Sequence, residues 1–492
     1  MTQLSYGSPR GRWVLAAAVL GSAMVFVDGT VVNVALPHIG AGLDSGLSGL
    51  TWTINGYTLT LASLILLGGS LGDRFGRRRV FLVGVVWFAL ASALCGLAPD
   101  IGTLIAARAL QGVGGALLTP GSLAILQASF RPEDRARAIG AWSGLAGIAG
   151  AAGPFLGGWL VEIASWRWIF LINVPFAVVV VATALRYVPE SRDPTASQRV
   201  DVLGALLGAA GLGALTQGLI SAQDQGLDAP EVLAAVAVGA AAMLGFVVRE
   251  LRAADPMLPL GIFRSRLFSA ANAVTFAVYA ALSGVFFWLV LCLQVVVGFS
   301  PLAAGLSMLP MTVLMLLLSA RAGALATRTG PRLPMTVGPL LCAGGVALLA
   351  RLDASSSYVV DVLPPVVLFG LGLSLTVAPL TATVLAAAPD NHAGLASGVN
   401  NAVARVAGLL AVAVLPLVSG LSGAAYTSPA LLRPAYATAM ACCAGLLGAG
   451  GALGALLIRT PQTALLPAPR SCPVSAPPLA AGDAAPDPHR AG

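Results

Sequence analysis

Fourteen apolar segments follow one another along this chain, near 13–36, 50–72, 80–98, 101–127, 138–161, 168–185, 202–221, 232–248, 267–297, 302–322, 333–350, 359–388, 395–420 and 435–458. Each is about 17–30 residues long, enough to cross the hydrocarbon core of a bilayer as a helix. In lipid a backbone must satisfy its own hydrogen bonds, so such segments fold as helices and not as open strands. Composition agrees, with 57% hydrophobic and only 10% charged residues, where a soluble domain carries roughly 25% charged. The first run is too long for a signal-peptide core and lacks a small-residue cleavage site, so it reads as a retained span. The expected fold is an all-α membrane protein.

Charge placement sets the expected orientation. All 27 basic residues are arginine, spread over loops and not gathered into a nucleic-acid surface. With the N-terminus inside, all but five of these 27 (Arg108, Arg167, Arg351, Arg405 and Arg433) fall on cytoplasmic segments or their helix ends. This asymmetry is the positive-inside rule and puts both termini in the cytoplasm. The segment 222–231, with Asp224, Asp228 and Glu231 but no arginine, fits an outer loop between the seventh and eighth spans. The six cysteines lie mostly in apolar runs without metal-ligand spacing, so no zinc or redox site is expected.

The two ends of the chain resemble each other. "GVGGALLTPGSLAIL" from Gly112 matches "GLGLSLTVAPLTATVL" from Gly370 at an offset of 258, and "GSLGDRFGRR" at 69–78 matches "GALATRTGPR" at 323–332 at an offset of 254. Two nearly equal offsets imply two copies of a six-span unit, with spans seven and eight inserted between them. Paired six-span halves are the architecture of rocking transporters, whose cavity lies where the halves meet. The expected division is a first half over 1–190, a linker with the inserted helices over 191–255, a second half over 256–460, and a disordered Pro- and Ala-rich tail over 461–492.

Three motifs carry a family resemblance. "GGSLGDRFGRRR" at 68–79 resembles the loop signature between spans two and three of the major facilitator superfamily. There Gly69 allows close helix approach, Gly76 permits a tight turn, and Arg74 and Arg77 flank it. Asp73 can face a helix N-terminus; by resemblance its partner is the start of span 13, near Gly394–Ser397. The second copy has Thr327 in its place. "RALQGVGGALLTP" at 108–120 resembles the superfamily's fourth-span motif, which begins with an intramembrane arginine. "GLAGIAGAAGPFLGGWL" at 144–160 resembles its fifth-span antiporter motif, with Gly153, Pro154, Gly157 and Gly158 at its centre and Ala149 in place of a glycine. Together with "DGTVVNVALP" from Asp28, these stretches look like the fourteen-span drug–proton antiporter branch. The fold so implied is the major facilitator fold, two six-helix halves plus two linker helices.

Two charges sit inside the first half. Asp28 lies eight residues before Leu36, about 12 Å below the outer surface, and Arg108 lies seven residues after Ile101, about 10 Å deep. In the superfamily fold their spans line one half-cavity, so the two can interact. Asp28 then reads either as a proton-coupling carboxylate whose charge changes with conformational state, or as half of a fixed structural ion pair with Arg108. Arg405, about nine residues into span 13, lies about 14 Å deep. No second-half span offers it a carboxylate, and its counterpart in the repeat is Gly147. It reads either as a substrate contact favouring neutral, zwitterionic or anionic compounds, or as hydrogen-bonded to carbonyls or Asn401. Asn33, Trp52, Tyr57, Gln111, Asn401 and Arg405 are candidates to line the substrate cavity.

The resulting expectation is a proton-coupled exporter of amphiphilic drugs or antibiotics in the bacterial inner membrane, acting as a monomer without a cofactor or metal. A nutrient symporter of the same fold, or a non-transporting membrane sensor, are the alternatives. No ATP-binding loop of the G-x-x-x-x-G-K-[ST] kind and no nucleophile–base pair point to an enzyme. The proton gradient would supply the energy, and the partners expected are protons, lipid and an amphiphilic small molecule.

Overall fold

The computed structural model describes residues 4–192, 201–253, 256–387 and 393–458. Among them are fourteen helices long and apolar enough to span a membrane: α1 (Pro9–Gly42), α2 (Leu47–Phe75), α3 (Arg77–Gly96), α4 (Ile101–Ser129), α5 (Pro132–Ile163), α6 (Trp168–Tyr187), α7 (Val202–Gln225), α8 (Pro230–Arg252), α9 (Arg266–Val295), α10 (Pro301–Ala326), α11 (Arg332–Leu349), α12 (Tyr358–Ala386), α13 (Ala393–Ser419) and α14 (Pro429–Leu457). They contain no strand; Leu4 and Phe130 form an isolated bridge. The tail expected over 461–492 lies outside the described residues.

Several helices outrun their apolar segments. α1 starts at Pro9, where Ser8 caps it by accepting the Gly11 N–H at 3.1 Å, and continues through Pro37 to Gly42. Asp100 caps α4 by accepting the backbone N–H of Thr103 at 2.9 Å and its hydroxyl at 2.8 Å. These hydrogen bonds stabilise the charged form and hold the Asp100 carboxyl below its usual range. α6 is interrupted at Ile172, and α10 between Leu306 and Leu309.

The same helix pairings occur twice. α1 packs on α5, α2 on α4 and α3 on α4; correspondingly α9 packs on α13, α10 on α12 and α11 on α12. The inserted α7 and α8 pack on each other, and α7 rests on α2 and α13, one helix from each end of the chain. Only a small share of α8 is buried, which suits a helix facing lipid.

The cores show how the two six-helix groups meet. One buried apolar cluster runs across both, joining Val31, Leu36 and Ile39 of α1 to Trp288, Leu289 and Val290 of α9. Another, with Val14, Val25, Phe81, Phe88 and Phe130, belongs to the first group alone. Hydrogen bonds between the groups gather at the end remote from the Arg77–Arg79 turn. Leu47 N donates to Gly423 O at 2.8 Å, Tyr426 Oη to Ser45 O at 3.0 Å, Gln294 Nε2 to Val34 O at 2.9 Å and Ser300 Oγ to Glu162 Oε2 at 2.8 Å. The hydrogen bonds between the groups thus seal one end of the molecule. Toward the arginine-rich end a methyl group added at Gly140, Gly144 or Gly323 would meet nothing within 4 Å, whereas one at Gly398 of α13 would meet the Leu66 side chain of α2 at 2.9 Å.

Candidate functional site: a buried ion pair beside the seam

Asp28 sits midway along α1 and is fully buried. A carboxylate is tolerated there only if it is paired and hydrogen-bonded. Arg108 of α4, 1% exposed, supplies the charge, its Nη1 donating to Asp28 Oδ2 at 2.5 Å. The other carboxylate oxygen accepts from Gln111 Nε2 at 2.8 Å and from Asn173 Nδ2 at 3.5 Å. The guanidinium is satisfied further: Nη1 donates to Gln111 Oε1 at 2.6 Å and Nε to Thr53 O at 3.0 Å. The face of Tyr57 lies 4.3 Å and that of Phe170 5.6 Å from its central carbon, both in cation–π range. Beneath them Ser92 Oγ accepts from Gln111 at 3.0 Å and Asn173 at 2.9 Å, and donates to Phe170 O at 2.9 Å. Five helices, α1, α2, α3, α4 and α6, thus converge on one carboxylate.

Tyr57 and Gln111, expected in the substrate cavity, belong to this cluster instead. Tyr57 is 1% exposed beneath Arg108, and Gln111 is fully buried with its amide committed to Asp28, Arg108 and Ser92. A buried charge pair recruits polar neighbours, and here it commits Gln111, Asn173 and Ser92 to the cluster. Ser92 and Asn173 were not singled out in the sequence. The only signal was a polar residue within each of two apolar segments.

The other side of the same turn of α1 is less filled. A methyl group at Gly29 would meet nothing within 4 Å, and half-buried Asn33 donates only a long 3.4 Å bond to Thr30 O. The Arg405 guanidinium carbon lies 5.9 Å from the centre of the Phe26 ring, so this α13 side chain reaches across to α1. Asn401 is half-buried and makes no hydrogen bond to Arg405 among the described residues; its neighbour Asn400 bonds Asn272 at 3.2 Å and Thr275 at 2.7 Å. Trp52 is half-buried near the start of α2.

The arginine turn is built around Gly76, whose φ of +115° is one that side-chain-bearing residues rarely adopt. A Cβ there would also lie 2.7 Å from the Glu190 carboxylate. Glu190 Oε1 accepts the backbone N–H groups of Arg78 and Ser191, each at 3.1 Å, while Arg77 N donates to Ser191 O at 2.9 Å. Asp73 pairs with Arg77, four residues on, at 2.7 Å. In this state its partner among the described residues is Arg77, within its own turn. Arg74 lies over the Phe75 ring at 5.0 Å, and a methyl group at Gly69 would meet Pro120 of α4 at 3.6 Å. Glu190 was missed in the sequence, where it looked like any acidic residue after a span.

The fifth-span motif joins three helices. Pro154 has no N–H to give the Gly150 carbonyl four residues back, and Thr30 Oγ1 of α1 donates to that carbonyl at 2.8 Å. Gly153 and Gly157 lie against Thr30 and Val31, so α5 and α1 are nearly in backbone contact. On its other side Gly158 abuts Pro301 and Leu302 of α10, and Gly305 of α10 abuts Pro154 and Phe155. The motif is therefore part of the seal between the two groups of helices.

Known proteins place this architecture. A solved POT family transporter, in complex with a thioalcohol-conjugated peptide, superposes with a TM-score of 0.66 at 14% identity, covering 91% of this chain and 96% of that one. The puromycin resistance protein of Streptomyces alboniger is 38% identical over 435 residues, 86% of this chain and 85% of that protein. The tetracenomycin C resistance and export protein of Streptomyces glaucescens is 37% identical over 408 residues, 82% of this chain and 76% of that protein. The family model described as Major Facilitator Superfamily matches residues 18–412. Fourteen spanning helices, a repeated packing scheme, relatives over four-fifths of the length and this match together make the chain a multi-pass membrane protein that belongs to the Major Facilitator Superfamily.

Proposed function

We propose that this protein is a drug or antibiotic exporter of the bacterial inner membrane, driven by exchange with protons and acting as a monomer without a cofactor. Export is supported by the relatives, which are named as antibiotic resistance and export proteins. Proton exchange rests on one observation: a fully buried carboxylate, paired at 2.5 Å with a buried arginine, on the helix that also borders the seam.

The chemistry follows from that pair. In the sealed state Asp28 is held charged by three donors, and its charge is what makes a buried Arg108 tolerable. A proton on Asp28 removes the counter-charge, and breaking such a pair is worth about 3–5 kcal/mol. Taking a two-state equilibrium from 1:99 to 99:1 needs about 5.5 kcal/mol, so one proton can supply much of the bias between conformations. With the arginine-rich end in the cytoplasm, the end sealed by hydrogen bonds between the two groups faces outward. Substrate then enters from the cytoplasm while Asp28 is charged. After rocking, a proton from outside neutralises Asp28, and its release inside resets the pair.

Accumulation of a labelled antibiotic in pump-deleted bacteria tests the reading. Expression should lower accumulation, and a protonophore should abolish the difference. Accumulation raised by expression, or lowered equally with and without the protonophore, would overturn it.

A further inference from the structure

We propose that Arg405 recognises an acidic group on the exported compound, so that the substrates are amphiphilic organic anions. The inference rests on the export reading and deepens it by assigning a charge to the cargo.

Arg405 lies twelve residues after Ala393, about 18 Å along α13 and near its middle. It is half-buried, and its side chain crosses the seam to the Phe26 ring at 5.9 Å. Among the described residues it makes no hydrogen bond and no ion pair. Arg108 is the contrast, with a carboxylate, a carbonyl, an amide oxygen and two aromatic faces. An arginine at the centre of a spanning helix is costly, and one cation–π contact offsets only part of that cost. Five N–H donors stay unused by the protein.

Among the described residues no carboxylate meets them. Both oxygens of Asp28 are occupied within the first-half cluster. The other buried carboxylates, Asp201 and Glu250, lie at the ends of α7 and α8, where Arg249 and the Leu258 N–H hold them. Space is available, since a methyl group at Gly29 of α1 or at Gly147 of α5 would meet nothing within 4 Å. A methyl group at Gly150, one turn beyond Gly147, would meet the Cβ of Phe26 at 3.2 Å, so this stretch of α5 runs past the residue whose ring Arg405 faces. A guanidinium with free donors next to an aromatic ring and a gap suits a carboxylate or phenolate joined to an apolar body. It repels an organic cation.

Matched pairs of amphiphilic carboxylic acids and their methyl esters provide the test, in pump-deleted cells and everted vesicles carrying the full chain. The unsubstituted protein should export the acids better than the esters. Arg405→Gln should cut acid export about tenfold, the scale of one lost charge-assisted bond, and leave any ester export in place. Arg405→Lys should restore part of it. Export of esters or cationic dyes but not acids overturns the inference and leaves the export reading standing. Equal loss of acids and esters in Arg405→Gln marks a structural arginine and also overturns it. Export of nothing in either class, with antibiotic accumulation unaffected by expression, removes both readings together.

Discussion

Asp28→Asn separates coupling from architecture only when read beside Arg108. The substitution is nearly isosteric, but it leaves Arg108, 1% exposed, without its counter-charge. Removing one partner of a buried pair costs about 3–5 kcal/mol. The introduced amide oxygen still accepts one hydrogen bond, worth about 1 kcal/mol, and the Thr53 carbonyl and Tyr57 face remain. A net loss of about 2–4 kcal/mol is therefore expected, with uphill efflux abolished. The double variant Asp28→Asn/Arg108→Gln removes both charges. It should recover most of the stability, because a buried pair replaced as a unit is often neutral, yet remain unable to pump. Unfolding in detergent reports stability, and substrate uptake into everted vesicles under an imposed pH gradient reports pumping. Wild-type pumping by the double variant would show that Asp28 and Arg108 are a structural pair and refute the coupling role.

Other expectations follow from the same geometry. Gly305→Val should pry α10 from Pro154 and Phe155 of α5, loosening the sealed end; thiol labelling of a cysteine placed at Val34, fully buried in that end, should rise severalfold. Asp73→Asn removes a half-buried i,i+4 pair of a kind worth about 0.3–0.5 kcal/mol, so stability should hardly change while turnover slows severalfold; unchanged turnover would deprive Asp73 of a gating role. Glu190→Ala strips an acceptor from two backbone N–H groups at the arginine turn and should cost about 1–2 kcal/mol, recovered by Glu190→Gln in the same unfolding assay. If the cargo is a monoanion exchanged for one proton, two positive charges move inward per cycle, each worth about 2.3 kcal/mol per 100 mV. Clamping the membrane potential should then slow export of acids more than that of their esters.

Much of the fold was readable because lipid leaves the chain few choices. Runs of apolar residues report spans directly, and the repeat offsets agree with the recurring pairings of α1 with α5 and α9 with α13. Helix ends were less legible, since α1 continues past Leu36 through Pro37 to Gly42. Hydropathy marks where lipid stops; the backbone goes on donating to itself beyond that point. Depth arithmetic placed Asp28 and Arg108 level with each other, and the structure brings them to 2.5 Å. Their partners were hidden. Ser92 and Asn173 are ordinary polar residues until four helices fold around Asp28. For the same reason Tyr57 and Gln111, which suit a cavity by composition, proved to be inside the cluster. Asp73 pairs with Arg77, a neighbour one turn away on the same stretch of chain, where the pairing needs no particular conformational state.

Proton movement driven by substrate tests proton exchange through Asp28 most directly. Purified protein would be sealed in liposomes with a trapped pH-sensitive dye. An antibiotic to which it confers resistance would then be placed on one side, with no initial pH gradient or membrane potential. As the compound runs down its gradient, protons should move the opposite way and build a pH difference, and Asp28→Asn should abolish that movement. Substrate flux with no opposing proton movement, or a pH change that persists in Asp28→Asn, would contradict it.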